Sequence, residues 1–194
     1  MARPLTIGLT GGIAAGKSEA LAAFERLGAA TISSDAVVHE LLDAEPLLSR
    51  LIERWGGGVA PDGVVDRARI GAIAFADAAE LRWLEQQIHP LVGERIGAWL
   101  AALPADTRVA VVEVPLLFES EMESVFETTV AVVAAEGVRR ERAEARGQAL
   151  VAEREARQLD QAEKAARAEH TVRNEGSVED LEGELSALVE KLAG

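Results

Sequence analysis

Leu5-Thr-Ile-Gly-Leu-Thr-Gly-Gly-Ile-Ala-Ala-Gly-Lys-Ser18 is the stretch whose reading decides the fold. Leu5 to Leu9 reads as a short buried strand. Gly11, Gly12, Ile13, Ala14, Ala15 and Gly16 then form a tight loop. From Ser18 to Leu27, Leu21, Phe24 and Leu27 recur at helical spacing, and Gly28 stops the helix. Gly11-x-x-x-x-Gly16-Lys17-Ser18 matches a phosphate-binding loop at every fixed position. Its glycines let the backbone turn tightly and aim several N–H groups into one concavity. The helix that follows adds the positive end of its dipole. Lys17 can reach β- and γ-phosphates, and the Ser18 hydroxyl suits Mg²⁺. A turn that merely joins strand to helix is the competing reading. The apolar strand before and the amphipathic helix after favour phosphate.

Working outward, Ala30-Thr-Ile32 is a second strand candidate that ends at Ser33-Ser34-Asp35. From Val37 to about Leu103 the pattern is mostly helical, interrupted by the turn-rich run Gly56 to Gly63, a loop or small hairpin. Val109 to Val114 is a continuous apolar run of the kind found in covered parallel strands, ended by Pro115. Thr128 to Val133 repeats it. Arg139 to Arg167 reads as one long charged helical stretch, His170 to Val172 as a last strand, and Ser177 to Leu192 as a closing helix. Ser177 with Asp180 makes an N-cap arrangement there. Strands alternating with helices predict an α/β fold with a parallel sheet. Residues 36–103, which hold Trp55, Trp83 and Trp99, read as a helical insertion; the tryptophans are core or a stacking platform.

The 194 residues carry a net charge of −13, which argues against general nucleic-acid binding. There is no Cys, so disulfides and thiolate chemistry are excluded. No stretch has the length of a membrane span, and the first ten residues lack a signal peptide's apolar run. A cytoplasmic location is expected. Of three lysines, one sits in the glycine loop.

No guanine-reading Asn-Lys-x-Asp segment follows a late strand, and no transporter-type glycine signature is seen, so a small-molecule kinase remains. The segment from Gly8 to Ser18 resembles the loop of the dephospho-CoA kinase family, including its Thr-Gly-Gly-Ile. Further resemblances follow in order: Ser33-Ser-Asp35 to an Asp-x-Asp segment; Asp62-Gly63 with Asp66-Arg67; Leu84-Glu85 with His89-Pro90; Glu113-Val-Pro-Leu-Leu-Phe-Glu119; the lid arginines Arg142 and Arg146; and Asn174 with Gly176.

This resemblance implies a P-loop NTPase-type three-layer fold, with a five-stranded parallel sheet flanked by helices. A helical acceptor-binding lobe (36–103) and lid helices (137–167) complete the single domain 1–194. It implies ATP, Mg²⁺ and dephospho-CoA as ligands, with no nucleic acid or membrane partner, in a monomer or weak homo-oligomer. Asp35, Lys17 and Arg142 take catalytic roles. Gly11 to Gly16, Lys17, Ser18, Glu19, Arg146, Asn174 and Gly176 hold the nucleotide. Asp35, His89, Leu116 and Leu117 meet the acceptor, and Ser18 meets the metal.

The residues themselves leave alternatives open. Asp35 is the acceptor of a ribose proton or the N-cap of the helix behind it. Arg142 and Arg146 reach the phosphoryl or belong to a solvated face with Glu141 and Glu144. His89 contacts the acceptor or is a buried structural histidine at a helix break. Glu113 is metal-associated or structural. Asn174 and Gly176 border the adenine or make a turn. Three positions depart from the family pattern. Ser33 replaces its first Asp, Ala14 asks for ordinary φ where Gly is usual, and Glu19 suits a phosphate site only if it points away.

Overall fold

A computed structural model describes residues 3–145 and 158–193. It divides into two compact units, Ser34–Ala102 and the remainder of the chain on either side.

In the larger unit, five short strands form one sheet: β1 (Leu5–Gly11), β2 (Ala30–Ser33), β3 (Val109–Glu113), β4 (Thr128–Val133) and β5 (His170–Arg173). All pairings are parallel, in the order β2-β3-β1-β4-β5. Helices α1 (Lys17–Arg26) and α8 (Val178–Ala193) supply Ala20, Ala23 and Phe24, and Leu181, Leu185 and Leu188. These bury against Ile7, Leu9, Val109, Val111, Val130, Val132 and Val172. Period-two alternation in β1 turns Gly8 away from Ile7 and Leu9. A Cβ on Gly8 would come within 2.7 Å of the Phe126 ring, so a glycine is required there. The closing helix starts as its sequence predicts. Ser177 and Asp180 cap each other, with Ser177 N–H donating to Asp180 Oδ2 (2.9 Å) and Asp180 N–H to Ser177 Oγ (3.2 Å).

The smaller unit contains α2 (Ser34–Leu42), α3 (Leu47–Trp55), α4 (Arg67–Ala76) and α5 (Ala78–Ala102). Its core is Leu42, Leu47, Leu51, Val59, Val65, Ile70, Ala74 and Leu84. The Gly56 to Gly63 run forms two 3₁₀ turns, Gly57–Val59 and Pro61–Gly63, rather than a hairpin. Asp66 caps α4 by accepting Arg69 N–H (3.0 Å), and Asp43 accepts both Val65 N–H (2.9 Å) and Arg67 (3.2 Å). Trp55 and Trp83 meet edge-on at 5.2 Å and pack against this core, and all three tryptophans are half-buried.

Two expectations fail. The break at His89-Pro90 does not occur: α5 runs 25 residues through Pro90. Proline removes one hydrogen bond, to the Gln86 carbonyl, and the buried Leu84, Val92 and Ile96 on either side hold the helix together. The single helical stretch from Arg139 to Arg167 is not continuous either. Helix α6 (Glu136–Ala145) precedes residues 146–157, and Gln158 to Asp160 are non-helical before α7 (Gln161–Arg167). Asp160 starts α7: its backbone is extended and its carboxylate accepts Glu163 N–H at 2.7 Å.

Candidate active site

Gly11 ends β1 at φ 154, and the loop that follows carries Ala14 at φ 58 and Gly16 at φ 97 before α1 begins. Ala14 therefore corrects the expectation of ordinary φ: the loop's path demands the left-handed region there whatever residue stands in it. Lys17 Nζ folds back across the loop and donates to Gly11 O (3.2 Å) and Gly12 O (3.1 Å). Ser18 is exposed in the first turn of α1. Glu19 turns away from the loop. Its Oε1 meets Arg26 Nη2 at 2.9 Å, seven residues along the helix, where Arg26 also pairs with Glu182 of α8. These two carboxylates hold the Arg26 guanidinium pKa above its ordinary value through their hydrogen bonds.

The loop is braced by residues from the far end of the chain. Asn174, just past β5 and 5% exposed, donates its Nδ2–H to Ala15 O at 3.0 Å. Arg142, on α6, donates to Ala15 O (3.4 Å), Asn174 O (3.1 Å) and Asn174 Oδ1 (3.3 Å). The Asn174 amide is thus engaged at both ends, Nδ2 by the loop and Oδ1 by the arginine. Arg142 lies along the loop and not on a solvated face with Glu141 and Glu144. Its companion at the loop is Arg139: a Cβ on Gly12 would come within 3.2 Å of Arg139 Nη1. Arg146 lies outside the described residues. Gly176 is exposed and serves the α8 cap, because a Cβ there would strike Asp180 Oδ2 at 2.4 Å.

At the C-terminal end of the sheet, Ser33 and Glu113 are register partners on neighbouring strands. Ser33 Oγ donates to Glu113 Oε2 at 2.7 Å, and Glu113 is only 7% exposed. The residue in place of the family's first Asp therefore orients a buried carboxylate. Two positions on, Asp35 is exposed in the first turn of α2. It lies inside the helix, and its carboxylate bonds no first-turn amide, so the N-cap alternative does not hold. Among the acceptor-side expectations, His89 is exposed on α5, which removes its reading as a buried structural histidine. Leu116 is 39% exposed, but Leu117 is fully buried and packs in the interior instead of facing a ligand.

Gln161 and Lys164 emerge only in three dimensions. The Gln161 side-chain amide pairs with both main-chain groups of Ala134 (2.9 and 3.0 Å), pinning α7 to the end of β4. Lys164 is wholly buried and pairs with Glu119 at 3.0 Å. A lone Lys in a run of Arg and Glu was the one sign of it in the sequence.

The family model for dephospho-CoA kinase matches residues 5–180. The chain belongs to the dephospho-CoA kinase family. It is similar to curated dephospho-CoA kinases from Synechococcus sp. strain CC9902 (37% identical, 94% of each chain covered) and Symbiobacterium thermophilum (40% identical, covering 93% of this chain and 78% of the other). A solved structure from Thermus thermophilus, TT1252, covers 100% of both chains at 32% identity with a TM-score of 0.85. A dephospho-CoA kinase from Campylobacter jejuni shares the fold at 24% identity and a TM-score of 0.72, covering 97% of this chain and 96% of its own. The P-loop kinase fold that the family resemblance implied is the fold found.

Proposed function

We propose that the chain is a dephospho-CoA kinase whose chemistry rests on the Gly11–Ser18 loop and Asp35. It transfers the γ-phosphate of ATP to the 3′-hydroxyl of the dephospho-CoA ribose, the last step of coenzyme A biosynthesis. The observation that carries this reading is a family match over nearly the whole chain, joined to a glycine loop whose lysine folds back onto the Gly11 and Gly12 carbonyls.

Phosphoryl transfer asks the protein for alignment and charge neutralisation more than for covalent chemistry. Main-chain N–H groups of Gly11 to Gly16 and the start of α1 take the triphosphate oxygens. Lys17 exchanges its two loop carbonyls for the β- and γ-phosphates. Arg142, held at the loop, adds positive charge beside the transferring group. Asp35 accepts the proton of the attacking hydroxyl. Ser34–Ala102 is the acceptor-binding lobe, where His89 meets dephospho-CoA.

Mg²⁺ fits the donor set. Ser18 Oγ is an exposed hydroxyl with no hydrogen-bond partner among the described residues, and Glu113 provides a carboxylate at the same sheet end. Among the described residues no group of three or more His, Cys, Asp or Glu forms a dedicated cage. That suits an ion held by one or two protein oxygens together with phosphates. Ser18 would hold it, and Glu113 would bond its water shell. When bound, the ion neutralises charge on the phosphate oxygens.

The test is incubation of the purified chain with ATP, Mg²⁺ and dephospho-CoA, with coenzyme A read by mass spectrometry. Asp35→Asn should lower kcat by about 10²-fold or more while ATP binding persists. Absence of coenzyme A, with ATP demonstrably bound, would defeat the reading.

A further inference from the structure

Asn174 directly follows the sheet's last strand, and its own main chain is fixed before its side chain is considered. Its N–H donates to Val133 O at 2.8 Å, continuing the β4–β5 ladder by one residue. At 5% exposure the side chain is buried, and it reaches a loop 159 residues earlier in the chain.

We propose that Asn174 is a positioning residue of the triphosphate site: it sets the Ala15–Gly16 peptide so that the Gly16 N–H faces the phosphates. The inference rests on the reading of Gly11–Ser18 as the triphosphate cradle. A trans peptide turns its C=O and N–H to opposite sides. Nδ2–H of Asn174 holds the Ala15 carbonyl at 3.0 Å, so the N–H of Gly16 is turned the other way, into the loop. Arg142 Nη1 touches the same carbonyl at 3.4 Å, near the limit of a useful hydrogen bond, so Asn174 is the principal holder. Arg142 Nη2 in turn donates to Asn174 Oδ1, fixing which end of the amide faces the loop.

The fit is tight. A Cβ on Gly16 would come within 2.0 Å of Asn174 Nδ2, so the amide fills the space that the glycine leaves open. Nδ2 is engaged by the loop carbonyl and Oδ1 by Arg142, and holding the loop requires the Nδ2 bond to persist. Nothing in this arrangement distinguishes one base from another, and the effect on binding belongs to the phosphates alone.

The test uses the full chain, wild type and the variants Asn174→Ala and Asn174→Leu, each checked for fold by circular dichroism. Calorimetric Kd values are measured for ATP, GTP and inorganic tripolyphosphate at constant Mg²⁺. Loss of one buried hydrogen bond should weaken all three by the same factor, about tenfold. The ATP-to-GTP ratio and the KM for dephospho-CoA should stay as in the wild type. A loss confined to ATP, with tripolyphosphate unchanged, would overturn the proposal in favour of base reading. Unchanged affinities, a reduced active fraction alone, or failure of both variants to fold would assign Asn174 to the fold and overturn it as well. A wild-type chain that binds none of the three would defeat the cradle reading itself.

Discussion

Lys164 Nζ lies 3.0 Å from Glu119 Oε1, and no part of the lysine side chain reaches solvent. The same ammonium donates to Pro115 O at 2.5 Å, a carbonyl that also accepts Thr10 Oγ1 at 3.2 Å. Glu119 Oε1 further accepts Leu159 N–H at 2.9 Å. One buried charge pair therefore ties the entry of α7 to the segment after β3 and to the end of β1. The expected consequence is lopsided. A buried ion pair adds little net stability over an apolar pair, but removing one partner strands the other. Lys164→Met should destabilise the chain by about 3 kcal/mol, and Lys164→Met with Glu119→Leu should recover part of that loss. Urea denaturation checks both, and equal stability of Lys164→Met and wild type would contradict the pairing.

Ser33 gives a test of its bond to Glu113. Ser33→Ala leaves the buried Glu113 carboxylate without its hydroxyl donor and should cost about 1.5 kcal/mol, the scale of a hydrogen bond to a charged group. Ser33→Asp, which restores the family's residue, instead sets two carboxylates on register-paired positions. Their like-charge repulsion should make Ser33→Asp less stable than wild type, measured by thermal unfolding.

The loop was legible in the sequence because its requirement is local: glycines, Lys17 and Ser18 at fixed spacing dictate one backbone path. So were β3 and β4, short apolar runs buried along nearly their whole length; the edge strands β2 and β5 are shorter and less buried. The unread parts are long-range or outweighed. Nothing near Ala15 announces that Asn174 will hold its carbonyl, and nothing near Lys164 announces Glu119. Pro90 marks a helix break locally, yet one missing bond is outweighed by the buried residues of α5. Leu116 and Leu117 look alike as neighbours in the sequence, but only packing after β3 decides that one is exposed and the other buried.

Gly16 and Ala14 should respond unequally to exchange. Both have positive φ, 97 and 58. Ala14→Gly removes about 1 kcal/mol of left-handed strain but adds about 0.5–1 kcal/mol of unfolded-chain entropy, so stability should barely change. Gly16→Ala adds a Cβ both at an unfavourable φ and 2.0 Å from Asn174 Nδ2. That variant should lose about 2 kcal/mol or more of stability and most of its ATP affinity. Thermal unfolding and calorimetric titration with ATP separate the two, and a Gly16→Ala chain that binds ATP as the wild type does would refute the tight fit described for Asn174.

Glu80 makes the helical unit acid-sensitive. Its carboxylate accepts two hydrogen bonds from Arg54 (3.0 and 2.8 Å) and one from Trp55 Nε1 (2.7 Å), and Arg54 in turn lies over the Trp83 ring at 5.2 Å. The Arg54 hydrogen bonds first, and then that of Trp55, hold the Glu80 carboxyl below its ordinary pKa. A depressed folded pKa contributes stability that is present above the unfolded value and is lost as pH falls through the folded one. The loss should therefore begin below about pH 4.3, the ordinary glutamate value, and be complete only at still lower pH. Glu80→Gln keeps the shape and an acceptor for Trp55 but has no charge to titrate. Its stability curve should start lower at pH 7 and converge on the wild-type curve as the pH is lowered below 4. Tryptophan fluorescence during urea unfolding reports directly on Trp55 and Trp83, and parallel curves across that range would show that the carboxylate does not carry the effect.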